Sequence, residues 1–549
     1  MRIGLLAVTA AGRAAVATLQ EALPDAHPYD LADLARAWQE CDGLVCLLAT
    51  GAVVRLVAPL LEGKDVDPGV VCVDEARRYA VALLGGHGAG ANALAEQVGQ
   101  VLGATPVVST ATDAAGLPGL DTLGWPVEGA VAAVTRAMLD GDPVLLQADA
   151  TWPLPPLLAG DDGEHVLAVT DRLLPLDALT AVLRPPSLVV GVGASKGVTA
   201  DEVERLIEAT LADAGLSVLS VGGLATATAK ADEPGLVALA RRRGWSLTTH
   251  SSEVLAAVSV PNPSGAPLAA IGTPSVAEAA ASLAGELVVE KAKSAMATVA
   301  VARVRPRGRL ALVGLGPGAR DLLSPRGVAE LRRAAVWVGL DQYVEQVRDL
   351  ARPGTRMLVT GLGQEQERAH SAVREAQQGH AVALIGSGDS GVYAMASPAL
   401  EFAGGDIDVV GVPGITAALA ASNLLGAPLG HDHASISLSD LHTPWPAIEA
   451  RVRAVAEADL VVTFYNPRSR GRDWQLAKAV SMLLEHRPAT TPVGIVTDAS
   501  RTTETVVLTT LGELDVEQVT MLACVVVGSS QSRVVAGRFV TPRGYTWHT

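Results

Sequence analysis

Aromatic side chains are scarce in this sequence: they form 3% of the 549 residues, and only three of them are phenylalanine. This excludes a core packed mainly around large rings, so the interior has to consist of small aliphatic residues on closely packed strands and helices. Hydrophobic residues still make up 49% of the chain and charged residues 18%, which is typical of a folded protein. A chain of this length is expected to form about three to four domains.

Cysteine is also rare, with four residues at positions 41, 46, 72 and 524. No two of them form a CxxC pair or another zinc-ligand spacing, so we expect no metal site on the protein. Most of them lie inside apolar stretches. This favours buried free thiols in a reducing cytoplasm over disulfides.

Positive charge is in short supply. Lysine and arginine together number 42 against 58 acidic residues, which gives a net charge of −16 and a pI of about 5.2. No broad basic surface is available to neutralise a phosphate backbone, so we expect no nucleic-acid partner.

Long uninterrupted apolar runs are missing as well. The longest apolar stretch, Gly43–Leu61, contains Thr50 and Arg55, whereas a membrane span needs about twenty consecutive apolar residues. The apolar start of the chain is interrupted by Arg13 and is interpreted as a buried strand followed by a helix, not as a signal peptide. We expect a cytoplasmic protein without a membrane anchor.

Short apolar runs alternate with helical patterns along the chain, which predicts an α/β fold with mainly parallel sheets. The predicted strands are Ile3–Val8, Gly43–Leu48, Val70–Asp74, Leu188–Gly191, Val218–Val221, Leu310–Val313, Ala381–Ile385, Asp408–Val412, Leu460–Phe464 and Pro492–Val496. Proline-rich stretches and the basic run Arg303–Arg309 suggest the boundaries. The predicted domains are 1–125, a connecting segment 126–186, 187–303, a linker 304–309, and 310–549, the last with subdomains of about 310–422 and 423–549.

The sequence after Leu310–Val313 matches a dinucleotide fingerprint. Gly314-Leu-Gly-Pro-Gly-Ala319 satisfies the G-x-G-x-x-[G/A] pattern, and Asp341 follows a second strand-like run. In a dinucleotide fold the third glycine position opens a helix that meets the pyrophosphate. Here Pro317 breaks the turn, and the helix is predicted to begin only at Ser324 and Pro325. A nicotinamide enzyme is therefore disfavoured.

Three further polar loops follow apolar runs in the C-terminal half: Ser387–Ala396, Pro413–Ala417 and His431–Trp445. Loops on a rigid scaffold are where binding and catalytic residues concentrate. These loops, together with Tyr465-Asn-Pro-Arg-Ser469, resemble the tetrapyrrole methylases, and within them the ring-contracting precorrin-3B C(17)-methyltransferases. The resemblance runs from about Leu310 to the C-terminus. It implies a class III methyltransferase with two α/β subdomains around a cleft, S-adenosylmethionine as methyl donor, a precorrin or cobalt-precorrin substrate, and a homodimer.

The resemblance also implies a set of cofactor-facing positions. Taken singly, several have ordinary structural explanations: Asp389 as a turn former, Thr416 as a helix N-cap and Asn466 as a turn residue before proline. Their joint order favours a cofactor site. The implied residues are Pro317, Ser387, Gly388, Asp389, Val392, Thr416, Ala417, Asn466 and Ala499.

Ring contraction requires proton movement, for which we predict His431 or His442 together with Asp440. A net acidic protein repels a polycarboxylate substrate at long range, so local basic groups are needed to orient its carboxylates. Candidates for contact with the substrate are Glu365, Arg368, Arg468 and Arg470. For Glu365 and Arg368, exposed helix charges without such a role are an equal alternative.

The N-terminal half, up to about residue 303, carries a second set of motifs: Ala49–Arg55, Gly85–Asn92, Ser109–Asp113, Gly191–Gly197, Lys230–Leu236, Pro261–Ser264, Thr273–Glu278 and Lys291–Ala300. They resemble the cobalt-precorrin-5A hydrolase family, which opens the ring-A lactone and releases acetaldehyde. A lactone hydrolase needs a base and oxyanion donors. His87 is the candidate base, with Asp113 to orient it and the amides of Gly85–Gly88 as donors. The glycine-rich loops could equally be anion nests, in which case this half only holds and hands over tetrapyrrole.

Overall fold

The computed structural model describes residues 1–63, 66–86, 88–265, 268–269, 272–469 and 471–544. It divides into two compact units, one of residues 1–151 and 156–306 and the other of residues 152–155 and 307–549. Each unit contains three β-sheets within its described residues. None of the helices in these ranges is long and apolar enough to cross a membrane.

The first unit begins with a six-stranded sheet formed by β1 (Ile3–Ala7), β2 (Ala26–Tyr29), β3 (Gly43–Leu47), β4 (Gly69–Val73), β5 (Tyr79–Leu84) and β6 (Thr105–Val107). Its helices are α1 (Ala10–Ala22), α2 (Leu34–Glu40), α3 (Thr50–Val57), α4 (Ala91–Leu102) and α5 (Ala111–Ala114). The strand order is β2-β1-β3-β4-β5-β6, with β1 to β4 parallel and β5 antiparallel to β4. The loops after β5 and β6 therefore lie at the opposite edge from those after β1, β3 and β4.

A small four-stranded sheet follows, in the stretch to which the sequence analysis had assigned no strand. It has the order β7-β10-β9-β8 and consists of β7 (Val127–Gly129), β8 (Val144–Ala148), β9 (His165–Val169) and β10 (Thr180–Leu183), with helix α6 (Val131–Asp140). The proline-rich stretches at 152–158 and 184–187 are typical of a connecting segment, which hid these strands in the sequence.

The third sheet of the first unit is made of β11 (Leu188–Ala194), β12 (Val221–Ala227), β13 (Ser246–His250), β14 (Glu286–Lys293) and β15 (Ala297–Arg303). The helices are α7 (Ala200–Asp213), α8 (Pro234–Arg243), α9 (Ser252–Ala256) and α10 (Ala277–Ala284). The order is β13-β12-β11-β15-β14. Only β15 runs against the other four strands.

The second unit starts with an entirely parallel sheet of β16 (Arg309–Gly314), β17 (Val336–Leu340), β18 (Arg356–Thr360), β19 (Ala381–Gly386) and β20 (Asp408–Val412). Its helices are α11 (Pro325–Arg333), α12 (Asp341–Glu345), α13 (Glu365–Gln377), α14 (Ala396–Phe402) and α15 (Ala417–Leu425). The order is β18-β17-β19-β16-β20, so β16 lies between β19 and β20. We call the edge at which these strands end the carboxyl edge.

A mixed sheet completes the second unit with β22 (His433–Ser437), β23 (Val461–Tyr465), β24 (Pro492–Thr497), β25 (Thr505–Thr510) and β26 (Ala523–Val527), and with helices α16 (Trp445–Glu457) and α17 (Gln475–Leu484). Its order is β22-β23-β26-β24-β25. Three short strands, β21 (Gly426–Ala427), β27 (Arg533–Val535) and β28 (Arg538–Val540), form the remaining sheet. Because β26 is antiparallel to both β23 and β24, the strands β22, β23 and β24 all end at one edge.

The strand predictions agree closely with these elements, apart from Val218–Val221. There the chain forms a short 3-10 turn at Val218–Ser220, and the strand begins only at Val221. This strand is built from glycine, alanine and threonine, because it is packed in the middle of the sheet where small side chains fit. Its low hydrophobicity hid it from a search for apolar runs.

The predicted core composition is confirmed. Trp337, Phe464 and Phe539 are fully buried, but most buried hydrophobic side chains are valine, leucine and alanine. All four cysteines are buried free thiols, as expected.

Candidate active site

Three loops meet at the carboxyl edge of the parallel sheet in the second unit. We call them the glycine loops: Leu315–Ala319 after β16, Ser387–Tyr393 after β19 and Pro413–Thr416 after β20. The three strands are neighbours in the sheet, so the loops that leave them are adjacent. The backbones of Gly316 and Gly388 form a reciprocal pair of hydrogen bonds, of 3.0 Å and 2.8 Å, which joins the first two loops.

Glycine is required where these loops approach one another. A Cβ on Gly314 would lie 2.6 Å from the carbonyl oxygen of Gly388, and a Cβ on Gly414 would overlap the same oxygen. Gly388 itself has a φ of +65°, in the region that residues with a Cβ rarely adopt. The three backbones therefore pack without side chains between them.

Asp389 holds the second and third glycine loops together. Its Oδ1 accepts a hydrogen bond from the Gly391 amide at 2.8 Å, and its Oδ2 accepts one from the Gly414 amide at 3.1 Å. Both the turn-forming role and a place beside the predicted cofactor are therefore compatible with its position. Next to it, the Val392 side chain is 37% exposed, whereas Pro317 in the first loop is buried.

A second set of loops leaves the ends of β22, β23 and β24. Asn466 follows β23 with a φ of +48°, and its Nδ2 donates to Ser437 Oγ at the end of β22 at 3.1 Å. Ala499 lies in the turn after β24, where Asp498 accepts a 2.9 Å hydrogen bond from Thr503 and lies 3.7 Å from the Arg501 guanidinium. These loops present polar groups next to small residues.

The two sets of loops contact each other directly. Arg501 Nε donates to the Pro317 carbonyl oxygen at 3.1 Å, and the Tyr393 hydroxyl donates to the Ser435 carbonyl oxygen at 2.9 Å. The rings of Tyr393 and Tyr465 lie 5.0 Å apart at an angle of 54°. The two sets of loops, which carry the predicted cofactor residues, therefore meet where the two halves of this unit join, and we call this junction the cleft.

Tyr465 makes the most central of these contacts. Its hydroxyl oxygen lies 2.7 Å from Thr416 Oγ1 and accepts a 2.8 Å hydrogen bond from the Ala418 amide. Thr416 precedes α15 but makes no capping hydrogen bond of its own, so a tyrosine from the other sheet caps this helix instead. Burial raises the pKa of Tyr465, and the hydrogen bonds with Thr416 and Ala418 oppose that shift. The phenol therefore stays protonated at neutral pH.

The first unit carries a second cluster of predicted site residues. Asn92 Nδ2 donates to Thr110 Oγ1 at 3.2 Å and to Asp113 Oδ2 at 3.1 Å, and the Thr110 hydroxyl donates to the same carboxylate oxygen. A Cβ on Gly86 would lie 2.9 Å from Thr110 Cγ2, so the glycine-rich loop packs on this cluster. His87 lies outside the described residues.

The motifs of the first sheet lie at opposite edges. A Cβ on Gly69, the first residue of β4, would lie 2.6 Å from the Ala89 carbonyl oxygen, which places the loop after β5 at the amino ends of the parallel strands. The Ala49–Arg55 motif follows β3 and opens α3 at their carboxyl ends. Sequence order alone could not separate these two motifs.

Comparison with known proteins gives family matches for both units. Residues 309–515 match the model of the tetrapyrrole (corrin/porphyrin) methylases. Residues 32–113 and 188–302 match the N-terminal and C-terminal models of cobalamin synthesis protein G.

The most informative relative is the "Probable cobalt-factor III C(17)-methyltransferase" of Salmonella typhimurium. It is 46% identical over 241 residues, which are 43% of this chain and 99% of that protein. The chain belongs to the tetrapyrrole methylase family. The precorrin-3B C(17)-methyltransferase of a Sinorhizobium species is 36% identical over 42% of this chain and 91% of that protein. Some other relatives are matched over about half of their own length. The crystal structure of the methyltransferase CobJ is 34% identical over 43% of this chain and all of that chain, with a TM-score of 0.41.

The histidine-bearing segment of the methylase unit is split by β22. His431 precedes this strand, and its closest ionic partner is the neighbouring Asp432 at 3.5 Å. Asp440 and His442 follow the strand. Five extended residues span roughly 13 Å, so His431 lies at the edge opposite the cleft loops. The structure thus separates His431 from Asp440 along β22, whereas His442 follows the strand as Asp440 does; a role in proton transfer for any of the three stays a prediction.

Asp440 is held by two residues that the sequence analysis missed. Gln475 Nε2 donates to its Oδ2 at 2.9 Å, and Arg472 Nε lies 3.9 Å from its Oδ1. Arg472 also donates to the carbonyl oxygens of Leu438, at 3.2 Å, and Asn466. Burial lowers the pKa of Arg472 and Asp440 opposes the shift. No described hydrogen bond joins Asp440 to a histidine.

The predicted substrate-binding side chains differ in accessibility. Arg368 is 4% exposed and donates to Thr360 Oγ1 at 2.7 Å and to the Gly361 carbonyl oxygen at 2.8 Å. Because these bonds hold the loop before α13, we reassign Arg368 from substrate contact to support of that loop. Glu365 begins α13 and accepts from the Gly363 amide at 3.2 Å.

Arg468 lies at the cleft edge, but its guanidinium is engaged. It donates to the Val516 carbonyl oxygen at 3.0 Å and pairs with Glu517. Arg470, the other predicted arginine of this loop, lies outside the described residues. The role of both in substrate binding stays a prediction.

Replacing Gly414 with alanine is expected to destabilise the methylase unit by about 1–3 kcal/mol, since the added Cβ overlaps the Gly388 carbonyl oxygen. Thermal unfolding should show a lower midpoint and a smaller rise of that midpoint with S-adenosylhomocysteine. Gly411→Ala is the matched control, because nothing lies within 4 Å of a Cβ there. Identical curves for the two variants would contradict the packing argument.

Replacing Tyr465 with phenylalanine removes the group that caps α15. Because a cap is worth about 1 kcal/mol, S-adenosylhomocysteine should bind about fivefold more weakly in isothermal titration calorimetry. Tyr393→Phe loses the bond to Ser435 but keeps the cap, so its effect on the dissociation constant should be smaller. An unchanged constant in Tyr465→Phe would refute the link between this hydroxyl and the cofactor pocket.

Proposed function

We propose that the second unit methylates C-17 of precorrin-3B, or of its cobalt-bearing counterpart, and contracts the macrocycle. The observation that carries this proposal is that the glycine loops and the loops after β22, β23 and β24 meet in one cleft. The unit that contains this cleft is 46% identical to a C(17)-methyltransferase over nearly the whole length of that relative. Together with the first unit, this makes the chain a bifunctional enzyme of cobalamin biosynthesis.

The residues of the cleft fit S-adenosylmethionine. The methyl donor has a cationic sulfur, ribose hydroxyls and an amino-acid end, which call for hydrogen-bond acceptors and small neighbours instead of a phosphate cradle. Gly388, Ala417 and Ala499 supply small surfaces, and Asp389 supplies a carboxylate. The helix after the first glycine loop begins only at Pro325, with Ser324 as its N-cap, so the phosphate geometry of a dinucleotide fold is missing here.

The remaining cofactor residues complete the same surface. We assign Pro317, Ser387, Val392 and Thr416 to the half of the cleft formed by the parallel sheet, and Asn466 to the other half. S-adenosylmethionine supplies an electrophilic methyl group when bound. The protein's contribution is to orient that group toward the substrate carbon and to exclude water from the cleft.

Proton transfer during ring contraction is assigned to His442, with Asp440 beside it in the same loop. His442 is exposed after β22, and histidine is the side chain that most often serves as a general acid or base. Gln475 and Arg472 fix the Asp440 carboxylate. Arg468, and Arg470 outside the described residues, are the candidates that would attract the carboxylates of the substrate, and Glu365 is a further candidate for contact with it.

His442→Asn and Asp440→Asn should each slow ring contraction by about 100-fold or more, the usual contribution of a general acid or base, while methyl transfer continues. Mass spectrometry and the absorption spectrum of the product distinguish a methylated, uncontracted macrocycle. His431→Asn is the control, since it lies at the opposite edge. If that variant is the one that loses contraction, the assignment fails.

For the first unit we propose lactone-opening hydrolysis of cobalt-precorrin-5A with release of acetaldehyde. The hydrogen bonds of Asn92 and Thr110 to Asp113 support this assignment, since they fix a carboxylate next to the loop that contains His87. Hydrolysis adds water across the acyl–oxygen bond of the lactone, which leaves a carboxylic acid and a hydroxyethyl group on the macrocycle. Loss of the hydroxyl proton then breaks the carbon–carbon bond to the macrocycle, which keeps the electron pair, and the two-carbon fragment leaves as acetaldehyde. The competing proposal is a unit that only carries tetrapyrrole.

Asp113→Asn in the full-length chain should reduce acetaldehyde release from the lactone-bearing intermediate by at least about tenfold, because a neutral amide no longer orients a base. C-17 methylation should be unchanged, which makes it the internal control. An acetaldehyde assay coupled to alcohol dehydrogenase follows the release. If the wild type releases none, the carrier proposal replaces the hydrolase.

We further propose that the methylase unit forms a homodimer. Strand β25 is at the edge of its sheet and exposes Val506, Val507 and Leu508 by 36–48%. Leu419 and Leu424 on α15, a helix that packs against β24 and β25, are also exposed. An exposed apolar edge strand of this kind must be covered by another surface to prevent non-specific association.

We also propose a cytoplasmic location for this acidic enzyme, because the cytoplasm is a reducing compartment in which cysteines stay as free thiols.

A further inference from the structure

Lysine is distributed very unevenly in this chain. There are six lysines against 36 arginines. Four of the six, Lys196, Lys230, Lys291 and Lys293, fall in the third sheet of the first unit, and neither proposed active site uses them. They belong to the motifs Gly191–Gly197, Lys230–Leu236 and Lys291–Ala300, for which the hydrolase assignment gives no role.

The strand directions bring all four lysines to one edge of this sheet. β11, β12 and β13 are parallel, and β14 runs with them because both β14 and β11 pair antiparallel with β15. Lys196 and Lys230 follow the ends of β11 and β12, and Lys293 is the last residue of β14. We call this the lysine edge. From β12 to β14 it spans three strand spacings, about 14 Å.

A buried carboxylate fixes the first two lysine loops. Glu233 is 7% exposed and accepts hydrogen bonds from the Gly197 amide at 2.7 Å and from Lys230 Nζ at 2.9 Å. It therefore ties the loop after β11 to the loop after β12. The Lys230 side chain is 22% exposed, whereas the Glu233 side chain is 6% exposed. Lys196 is exposed as well, so both ammonium groups lie nearer to solvent than the carboxylate of Glu233.

A second buried carboxylate fixes the other end of the edge. Glu278 is fully buried and accepts from the Asn262 amide at 3.1 Å, from Asn262 Nδ2 at 2.8 Å and from the Lys291 amide at 3.1 Å. The Lys291 ammonium donates to the Asn262 carbonyl oxygen. In the turn after Lys293, Glu202 accepts from Ser294 and from the Met296 amide. These two acids are engaged with the backbone, while the exposed carboxylates of Asp232 and Glu290 lie beside the lysines at the surface.

We propose that the lysine edge binds the carboxylate arms of a polycarboxylated tetrapyrrole, through residues that neither proposed active site uses. The ligand class rests on the proposed function. An ammonium group carries a compact charge with three rotatable donors on a flexible stem, so it can follow an acetate or propionate arm whose position is not fixed. Carboxylate arms on two sides of one macrocycle can reach Lys230 and Lys293 at the same time.

The small number of lysines permits a test on the unmodified full-length protein. Acetylation with an amine-reactive reagent, followed by peptide mass spectrometry, gives a rate for each lysine. With saturating uroporphyrin, which has eight carboxylates, the four rates should fall together by about fivefold or more, and the effect should weaken with salt. Lys478, exposed on α17 in the other unit, is the internal control. Mesoporphyrin, with two carboxylates, should protect less.

Equal rates with and without uroporphyrin, or equal protection of Lys478, would overturn the proposal. A second measurement uses Lys196→Met, with Lys478→Met as control, because Lys196 is exposed and the hydrogen bonds that fix the buried Glu233 come from Gly197 and Lys230. Lys196→Met should raise the KM for lactone opening about fivefold without changing kcat. If protection is seen but the wild type opens no lactone, the binding site stands and the hydrolase proposal fails. If lactone opening and its KM are unaffected by Lys196→Met, the hydrolase stands and this inference fails.

Discussion

The methylase cleft depends on the close approach of three backbone segments at Gly314, Gly388 and Gly414. Each segment leaves a different strand of the parallel sheet, and a single added methyl group would separate them. Parallel strands that end side by side make such a junction possible, because their loops emerge at one edge. Asp389 then completes the junction by accepting amides from its own loop and from the third. The proposed cofactor surface therefore depends first on the packing of these backbone segments, and side chains add to it.

The second sheet adds specificity through contacts that cross the cleft. Tyr465 caps a helix of the opposite half, Tyr393 bonds the backbone of β22, and Arg501 bonds the first glycine loop. These three side chains join the half formed by the parallel sheet to the half that carries Asn466 and Asp440.

Much of the fold could be predicted from the sequence because its strands are short apolar runs with glycine or proline at their ends. Val221–Ala227 escaped notice because a central strand flanked on both sides tolerates glycine and alanine. The segment Val127–Leu183 escaped because the proline-rich stretches in and after it are typical of a connection. Local signals were not sufficient even where burial and hydrophobicity coincide, since the fully buried apolar strand β26 is absent from the predicted strands.

The site was harder to predict, because the order of residues in the sequence does not show at which edge of a sheet each of them lies. His431 and His442 are close in sequence, yet β22 carries them to opposite edges. Arg368 has the appearance of a substrate ligand in the sequence but is buried against Thr360 and Gly361. Tyr465 and Arg472 act through contacts with residues distant in sequence, and no motif spacing reveals such contacts.

The central claim is most directly tested by the product that the full-length chain forms from precorrin-3B and S-adenosylmethionine labelled with carbon-13 in its methyl group. Nuclear magnetic resonance of that product should show one labelled methyl group at C-17 on a contracted ring. A label at another carbon, or a macrocycle that keeps all its bridging carbons in the ring, would contradict the account.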